Sequence, residues 1–233
     1  MKKLFLIDAY AMIYRAYYAL IRTPRINSKG MNTSAVMGFV NILHEIMTKE
    51  QPDYIAVAFD HGKTFRHDAF PLYKAQREET PEDIRRSVPI IKDILAAWHI
   101  PCLQTDGFEA DDIIGTLAAA VAASNTSKSD SIAAGKDDES GENQQVIDTY
   151  MVTGDKDYGQ LVRGHVFMYK PRHGGGYDVL GEKEICEKYS ISSTKQVIDI
   201  LALMGDSADN FPGCPGVGEK TAVKLINEWG SID

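Results

Sequence analysis

Residues 3–8 read Lys-Leu-Phe-Leu-Ile-Asp, a short apolar run that ends in an acid. Two later runs have the same form: residues 54–60 read YIAVAFD, and residues 146–155 read VIDTYMVTGD. Between them, apolar residues recur at helical spacing over residues 33–47, and the Thr-Pro-Glu-Asp sequence at residues 80–83 is typical of a helix start. Strands that alternate with helices of this length indicate βαβ units. The sequence therefore predicts an α/β fold with a mostly parallel central sheet flanked by helices.

The three apolar runs end in Asp8, Asp60 and Asp155. Because ligands of such sheets bind beyond the carboxyl ends of the strands, we expect these acids to converge at one edge. Each acid alone is explained equally well as a turn or cap residue. Their shared position at three strand ends favours a common site.

The chain becomes mainly helical after residue 181, with patterns at residues 182–189 and 194–204. A last helix opens at residues 216–220, Gly-Val-Gly-Glu-Lys. This organisation predicts a core domain over residues 1–180 and a helical subdomain over residues 181–233. A Gly-x-Gly turn at a helix start presents backbone N–H groups to an anion, but any tight turn between helices would use the same residues. A phosphate-binding helix-hairpin-helix element and a plain turn are both consistent with it.

Residues 124–145, SNTSKSDSIAAGKDDESGENQQ, differ in kind from the rest of the chain. They are rich in Ser, Asp, Gly and Asn and contain no aromatic residue, which predicts a flexible surface insertion before the next strand.

Composition places the chain in the ordinary globular class. The 233 residues are 44% hydrophobic and 25% charged, which excludes wholesale disorder. No apolar run approaches the roughly 18 residues of a membrane span. The three cysteines (Cys102, Cys186 and Cys214) are far apart and lack CxxC spacing, which argues for reduced thiols and against a zinc site. We therefore expect a cytoplasmic protein, with no membrane partner and a monomer as the default.

Carboxylates are concentrated at the ends of predicted elements and in turns. There are nine of them: Asp8, Asp60, Glu109, Asp111, Asp112, Asp155, Asp157, Asp206 and Asp209. Like charges packed together are disfavoured unless cations hold them. Oxygen ligands without His or Cys in the pattern favour Mg²⁺ or Mn²⁺, and the number of acids suggests two ions, the arrangement used for in-line phosphoryl displacement.

The net charge of −8 argues at first against a nucleic-acid partner, since such binding depends on Lys and Arg. With the nine acids set aside, 25 basic residues face 24 acidic ones, and the remaining chain is slightly basic. Residues 61–77 add a compact group of four cations (Lys63, Arg66, Lys74 and Arg77) interleaved with Phe65, Phe70 and Tyr73. This mixture suits phosphate clamping and base stacking, although a solvated amphipathic loop explains the segment about as well.

Taken together, these residues resemble the 5′-nuclease domain of bacterial DNA polymerase I, within the flap-endonuclease family. The matching stretches follow the family order and span almost the whole chain: Leu6-Ile7-Asp8, Ala58-Phe59-Asp60, Thr64-Phe65-Arg66-His67, Tyr73-Lys74-Ala75-Gln76-Arg77, Gly107-Phe108-Glu109-Ala110-Asp111-Asp112, Thr153-Gly154-Asp155-Lys156-Asp157, Gly205-Asp206-Ser207-Ala208-Asp209-Asn210 and Pro215-Gly216-Val217-Gly218-Glu219-Lys220-Thr221-Ala222.

The resemblance implies a PIN-like fold with two Mg²⁺ or Mn²⁺ ions. The catalytic ion would be held mainly by Asp8, Asp60, Glu109, Asp111 and Asp112, and the second ion by Asp155, Asp157, Asp206 and Asp209. Lys74 and Arg77 would belong to a helical arch over residues 61–80 and would act on the scissile phosphate. Arg66 and Tyr73 would be further DNA contacts. Gly216, Gly218 and Lys220 match the family's helix-hairpin-helix element, which grips the duplex with a bound monovalent cation such as K⁺.

The implied reaction is Mg²⁺-dependent hydrolysis of phosphodiesters at 5′ ends, nicks and flaps, including RNA–DNA primer junctions, in replication and repair. In the family this domain continues beyond the position of Asp233 and shares a polypeptide with a polymerase domain, so we expect the chain to be a fragment.

Three alternatives remain open at this point. One is a stand-alone flap endonuclease. Another is a non-catalytic nucleic-acid-binding module of the same fold, which would be expected to have lost some of the acids. The last is a PIN-class ribonuclease, which would not need the element at residues 216–220.

Overall fold

The computed structural model describes residues 1–133 and 145–232. Its centre is a six-stranded sheet in the order β3-β2-β1-β4-β5-β6, in which the first five strands are parallel and β6 is antiparallel. The strands are β1 (Lys2–Asp8), β2 (Tyr54–Ala58), β3 (Cys102–Leu103), β4 (Ile147–Val152), β5 (Val166–Pro171) and β6 (Tyr177–Leu180). The predicted α/β class with a mostly parallel sheet is confirmed.

Helices cover both faces of the sheet because successive side chains of β1 point to opposite sides. Phe5 and Ile7 pack in one fully buried cluster, and Leu6 packs in another. The first cluster includes residues of α1 (Ala9–Ala19), α2 (Ser34–Lys49) and α4 (Glu82–Ala97); the second includes residues of α5 (Ala110–Ala133), α6 (Glu182–Tyr189), α7 (Gln196–Met204) and α8 (Glu219–Trp229). A strand that is buried on both faces reads as a continuous apolar run, which is the pattern at residues 4–7.

Strand register brings the strand ends to one edge. Asp8 of β1 lies opposite Ala58 of β2, and Ile7 lies opposite Val152 of β4. The chain leaves β2 and β4 at the same level and reaches Asp60 and Asp155 within three residues. Convergence of the strand-end acids thus follows from the parallel pairing.

Within the helical part, α7 is connected to α8 through a small hairpin of β7 (Gly205–Asp206) and β8 (Phe211–Pro212). Gly205 has a φ of +71°, and a Cβ at this position would lie 2.3 Å from the backbone nitrogen of Gly213. A Cβ on Gly213 would in turn lie 2.4 Å from a backbone carbon of Met204. Glycine is required at both positions because two backbone segments touch there.

Several predicted boundaries differ from the structure. Helix α5 continues to Ala133, so residues 124–133 of the predicted flexible insertion are helical, and residues 134–144 lie outside the described residues. Helix α4 begins at Glu82 with Pro81 as its N-cap, within the predicted helix start at residues 80–83, and α5 begins directly after Glu109.

The cysteines and the helix lengths bear on two smaller expectations from the sequence. The three cysteines are free thiols. Within the described ranges, no helix combines the length and apolar character needed to cross a bilayer.

Candidate active site

A cleft of 910 Å³ opens at the carboxyl edge of the sheet. Seven of the nine acids predicted from the sequence line it: Asp8, Asp60, Glu109, Asp111, Asp155, Asp157 and Asp209. Lys74 and Arg77 also line it. The structure therefore brings together residues that are up to 201 positions apart in the chain.

Asp8 serves both as a cap and as a cleft acid. Its carboxylate accepts a hydrogen bond from the backbone N–H of Ala11 at 3.0 Å and so caps α1. The Tyr158 hydroxyl donates to the same side chain at 3.2 Å. Burial outweighs these bonds and raises the pKa of Asp8 to about 7. Removal from water therefore disfavours the ionised form in the absence of a cation.

Asp60 and Asp111 occupy the wall between β2 and α5. The Asp60 carboxylate accepts from the backbone N–H of Ala110 at 2.7 Å, which fixes the start of α5 against the strand end. Desolvation in the cleft raises the pKa of Asp60, and repulsion from Glu109 adds to the shift. One oxygen of Asp111, Oδ1, is buried and accepts no hydrogen bond. Burial raises the pKa of Asp111 to about 6, with Arg66 acting in the opposite direction.

A second group of acids follows β4. Asp155 caps the 3₁₀ helix Lys156–Leu161 and accepts from the backbone N–H of Asp157 at 3.1 Å. Oδ1 of Asp157 is buried without a hydrogen-bond partner. Burial, followed by repulsion from Asp155 and Asp206, raises the pKa of Asp157 to about 7. Asp206 does not line the cleft and instead pairs with Lys156 at 3.2 Å.

Basic side chains neutralise the remaining acids. Lys74 Nζ lies 2.6 Å from Glu109, and Arg77 lies 2.6 Å from Asp209. Arg66 donates two hydrogen bonds to Asp112, at 2.6 and 2.8 Å. Burial of Asp112 works against this pairing, but the hydrogen bonds from Arg66 and from the Glu109 N–H lower its pKa below the ordinary value. Asp112 therefore faces Arg66 and is not part of the cleft lining.

The segment predicted as a helical arch contains one short helix, α3 (Phe65–Ala69), followed by turns over residues 71–76. These turns are tied to the β7–β8 hairpin. Backbone Lys74 N–H donates to Asp209 O, Gln76 donates to Ser207 O, and Arg77 Nε donates to Ala208 O. Lys74 has a φ of +56°, a left-handed conformation that the surrounding contacts hold in place.

Tyr73 is not placed as the sequence pattern suggested. The side chain is 5% exposed, and its hydroxyl lies 3.0 Å from carboxylate oxygens of both Glu109 and Asp209. A ring enclosed in this way cannot stack on a base in the present arrangement. In this arrangement the Tyr73 hydroxyl links two acids, and the DNA contact of Tyr73 stays a prediction.

Residues of the predicted duplex-gripping element lie outside the cleft, at the start of α8. Gly216 has a φ of +79° and open space around its Cα, Gly218 is the N-cap of α8, and Lys220 is exposed. Their placement in a turn that leads into a helix agrees with both readings of the sequence. Arg66 also lies beside the cleft and not in its lining.

An aromatic row on α1 was not singled out from the sequence. Tyr10, Tyr14 and Tyr18 line the cleft in succession from the acids outward. Their rings lie 6.4 and 6.2 Å apart between neighbouring centroids. The i, i+4, i+8 spacing directly after Asp8 is the signal that could have identified them.

The acids of the cleft fit divalent ions by their chemistry but not in their present arrangement. Within the described ranges, no group of three or more Asp, Glu, His or Cys side chains is placed so that it could hold a metal ion. The chemistry nevertheless fits hard cations. The donors are all oxygens, and two buried carboxylate oxygens lack a hydrogen-bond partner, although Asp111 Oδ1 lies 3.8 Å from Arg66. Three carboxyl pKa values are raised to between about 6 and 7. In this structure Lys74, Arg66 and Arg77 pair with carboxylates whose charge a divalent ion could otherwise neutralise.

The overall structure is similar to solved nuclease structures. A T5 5′-exonuclease structure with bound divalent zinc ions aligns with 99% of this chain and 76% of that chain, at a TM-score of 0.70 and 20% identity. The catalytic core of Rad2 in complex with DNA substrate aligns with 99% of this chain and 61% of that one, at a TM-score of 0.57 and 16% identity. At such identities the likeness supports the PIN-like fold alone.

Sequence relatives carry the assignment further. The chain is 38% identical over its full length to DNA polymerase I of Bacillus caldotenax, and 33% identical to a 5′-3′ exonuclease of Aquifex aeolicus. It spans 24% of the polymerase and 72% of the exonuclease. Residues 3–139 match the N-terminal resolvase-like domain of the 5′-3′ exonuclease, and residues 192–233 match its C-terminal SAM fold. These matches support the expected nuclease function and do not favour a non-catalytic module. The chain belongs to the 5′-3′ exonuclease family.

Proposed function

We propose that this chain hydrolyses phosphodiesters at 5′ ends, nicks and 5′ flaps of DNA, and at RNA–DNA primer junctions, with two Mg²⁺ or Mn²⁺ ions. The observation that carries the proposal is the cleft in which seven acids meet, two of them with a buried carboxylate oxygen that has no hydrogen-bond partner. Zinc ions bound in the T5 5′-exonuclease structure and DNA bound in the Rad2 structure support it.

The acids divide into two groups by position. Those at the ends of β1 and β2 and at the start of α5 would hold one ion: Asp8, Asp60, Glu109, Asp111 and Asp112. Those after β4 and in the β7–β8 hairpin would hold the other: Asp155, Asp157, Asp206 and Asp209. When bound, such ions supply an activated water and stabilise charge on the attacking and leaving oxygens.

Lys74 and Arg77 would act on the phosphate. Both lie at the rim of the cleft, and each is paired with an acid of a different group. As the acids are neutralised by cations, these two side chains become free to exchange a carboxylate for a phosphate oxygen. Their positive charge would then favour the transition state, a contribution that is typically worth about 10²–10³ in rate for one well-placed donor.

Duplex binding is assigned to the start of α8. Exposed backbone N–H groups near Gly216 and Gly218, the helix dipole and Lys220 favour a phosphate, with K⁺ as a further cation at the turn. The longer relatives are named DNA polymerase I, and on that basis we propose a role in primer removal and repair.

The test is cleavage of a 5′-labelled flap duplex by the chain in Mg²⁺, in EDTA, and by Asp111→Asn in Mg²⁺. We expect cleavage near the flap junction that both EDTA and Asp111→Asn abolish. Asp93→Asn, which changes an exposed acid on α4, is the matched control and should cleave normally. Lys74→Ala should lower the single-turnover rate by about 10²-fold or more. Cleavage that persists in EDTA, or no cleavage by the folded wild-type chain in Mg²⁺, would refute the proposal.

A further inference from the structure

The Asp8 carboxylate is held by three hydrogen-bond donors of the protein. Its Oδ1 atom accepts from the backbone N–H of Ala11 at 3.0 Å. Its Oδ2 atom accepts from the hydroxyl of Tyr158 at 3.2 Å and from that of Thr153 at 3.4 Å. A carboxylate has about four lone-pair sites, so these donors leave roughly one, on Oδ1, for a cation. The orientation of Asp8 is therefore set by the protein itself.

The three donors differ in what else they stabilise. The bond from Ala11 is the N-cap bond of α1, and the Thr153 hydroxyl also accepts from the backbone N–H of Asp155 at 3.1 Å, in the turn after β4. The Tyr158 hydroxyl, by contrast, has Asp8 as its one hydrogen-bond partner among the residues that the structure describes. Its removal therefore changes the support of Asp8 without altering a helix cap or a turn.

Packing fixes the direction of the Tyr158 hydroxyl. The side chain is 1% exposed and belongs to the same buried cluster as Ile114 of α5 and Val197 of α7. The 3₁₀ helix that carries Tyr158 packs against both of these helices. A side chain whose rotamer is locked by such packing can hold a second group in a defined orientation.

Tyr158 links the two groups of acids in the candidate metal centre. It follows Asp157 directly in the chain, yet its hydroxyl contacts Asp8, an acid of the other group. Burial, followed by the charges of Asp8 and Asp111, raises the pKa of Tyr158 well above its ordinary value. The phenol oxygen therefore keeps its proton and acts on the Asp8 carboxylate as a hydrogen-bond donor.

Hydrogen bonds to a carboxylate that binds a metal fix its orientation, and their loss typically weakens metal binding by about 10- to 100-fold. Resting on the nuclease function proposed above, we propose that Tyr158 is a positioning residue for the candidate metal centre: its hydroxyl holds Asp8 in the orientation in which this acid binds a divalent cation. The hydroxyl makes no contact with the substrate in this role. It contributes to the affinity for the cation, and to the rate of cleavage through that affinity.

The experiment measures Mn²⁺ binding in the absence of DNA, by electron paramagnetic resonance of the free ion. The test variant is Tyr158→Phe, which removes one oxygen atom and keeps the buried ring. Tyr158→Met is a second test variant that fills much of the same space without a hydroxyl. The matched control is Tyr169→Phe, because Tyr169 is 5% exposed and its hydroxyl donates to Glu50 at 3.0 Å, away from the cleft lining.

We expect both Tyr158 variants to raise the Kd of the tightest-bound Mn²⁺ by about 10- to 100-fold, and Tyr169→Phe to leave it within about twofold. In single-turnover cleavage of a flap duplex, the Mn²⁺ concentration that gives the half-maximal rate should rise by the same factor for Tyr158→Phe. The rate at saturating Mn²⁺ should stay within about threefold of the wild-type rate, since only binding of the cation is weakened.

A second comparison shows whether Tyr158 acts through Asp8. In the Asp8→Asn background, the remaining Mn²⁺ affinity comes from the other acids, which include Asp155 and Asp157 beside Tyr158 in the chain. Addition of Tyr158→Phe should leave this remaining affinity within about twofold, because the acceptor of its hydrogen bond is already altered. A further loss of about tenfold or more would mean that Tyr158 acts on its chain neighbours, and it would overturn the inference.

An unchanged Mn²⁺ affinity in folded Tyr158→Phe would likewise overturn it. So would an equal loss of affinity in Tyr169→Phe, or a loss of rate that saturating Mn²⁺ does not restore. Cleavage by the unaltered chain is measured separately. Normal cleavage with Mn²⁺ binding that does not depend on Tyr158 refutes this inference alone, whereas Tyr158-dependent Mn²⁺ binding without any cleavage refutes the proposed function alone.

Discussion

Removal of the Asp157 carboxylate is expected to stabilise the metal-free protein, although it removes a residue of the candidate metal centre. One oxygen of Asp157 is buried and accepts no hydrogen bond. Burial, together with repulsion from Asp155 and Asp206, raises the pKa of this carboxyl from 3.8 to about 7. A carboxyl whose pKa is raised by folding opposes folding at every pH at which the unfolded chain ionises it.

The size of the effect follows from the shift. A change from 3.8 to about 7 corresponds to about 4 kcal/mol, at 1.36 kcal/mol per pKa unit. Because the Asp157 side chain is only partly buried, water reduces the effect of both desolvation and repulsion, and we expect Asp157→Asn to raise the free energy of unfolding by roughly 2–4 kcal/mol in EDTA at pH 8. For a chain of this length the Tm should increase by roughly 5–15 °C.

The pH dependence has a definite sign. The unfolded chain loses the Asp157 proton near pH 4, whereas the folded chain keeps it until about pH 7. The wild-type protein therefore loses stability as the pH rises between these values, and the amide variant is spared this loss. The advantage of Asp157→Asn should be about a third of its full size at pH 5 and complete at pH 8. From the proposed binding of Mg²⁺ we expect the wild type to gain stability when the ion is added, and the variant to gain less.

The assay is urea unfolding followed by circular dichroism, in EDTA at pH 5 and pH 8 and again in Mg²⁺ at pH 8. Asp93→Asn serves as the control for loss of a negative charge at an exposed position. The reasoning is refuted if Asp157→Asn is no more stable than the wild type in EDTA at pH 8. It is also refuted if the gain is the same at both pH values, or the same as that of the control.

Three further outcomes are expected from single substitutions. Arg66→Ala leaves the Asp112 carboxylate without two charged hydrogen bonds and should cost about 1.5–3 kcal/mol in urea unfolding in EDTA, with Arg66→Lys restoring only part because Lys lacks the planar fork. Tyr73→Phe removes a hydroxyl that bridges two acids and should cost about 1–2 kcal/mol in urea unfolding while leaving the Kd for flap DNA within twofold; because Phe keeps the ring, a large loss of DNA affinity would mean that the hydroxyl itself contacts DNA. Gly205→Ala forces a Cβ against a backbone nitrogen at 2.3 Å and should cost more than about 3 kcal/mol in thermal unfolding, whereas Gly154→Ala, with open space around it, should be nearly neutral.

Much of the fold was predictable because its signals are local. Helix α6 begins and ends where the apolar spacing predicted, and the apolar runs at residues 3–8 and 54–60 became neighbouring parallel strands. The gathering of acids in one cleft followed from a general property of parallel sheets, whose strand ends share an edge. Boundaries were less certain where composition was the only guide: the polar residues 124–133 form the end of α5.

The partners of the site residues could not be predicted in the same way. Nothing in the spacing of residues 61–77 shows that Tyr73 is enclosed between two acids, or that Lys74 pairs with Glu109. These contacts join positions 35 to 136 residues apart, and they exist because the turns after α3 pack against the β7–β8 hairpin.

The sequence by itself determined which residues carry charge, which strands are buried, and that strand-end acids would meet, because each of these depends on residue type and on short-range periodicity. Only the tertiary structure decided which acid oxygens are buried without a hydrogen-bond partner and which cations neutralise acids. Those properties depend on how distant segments pack and exclude water, and a one-dimensional pattern does not contain that information.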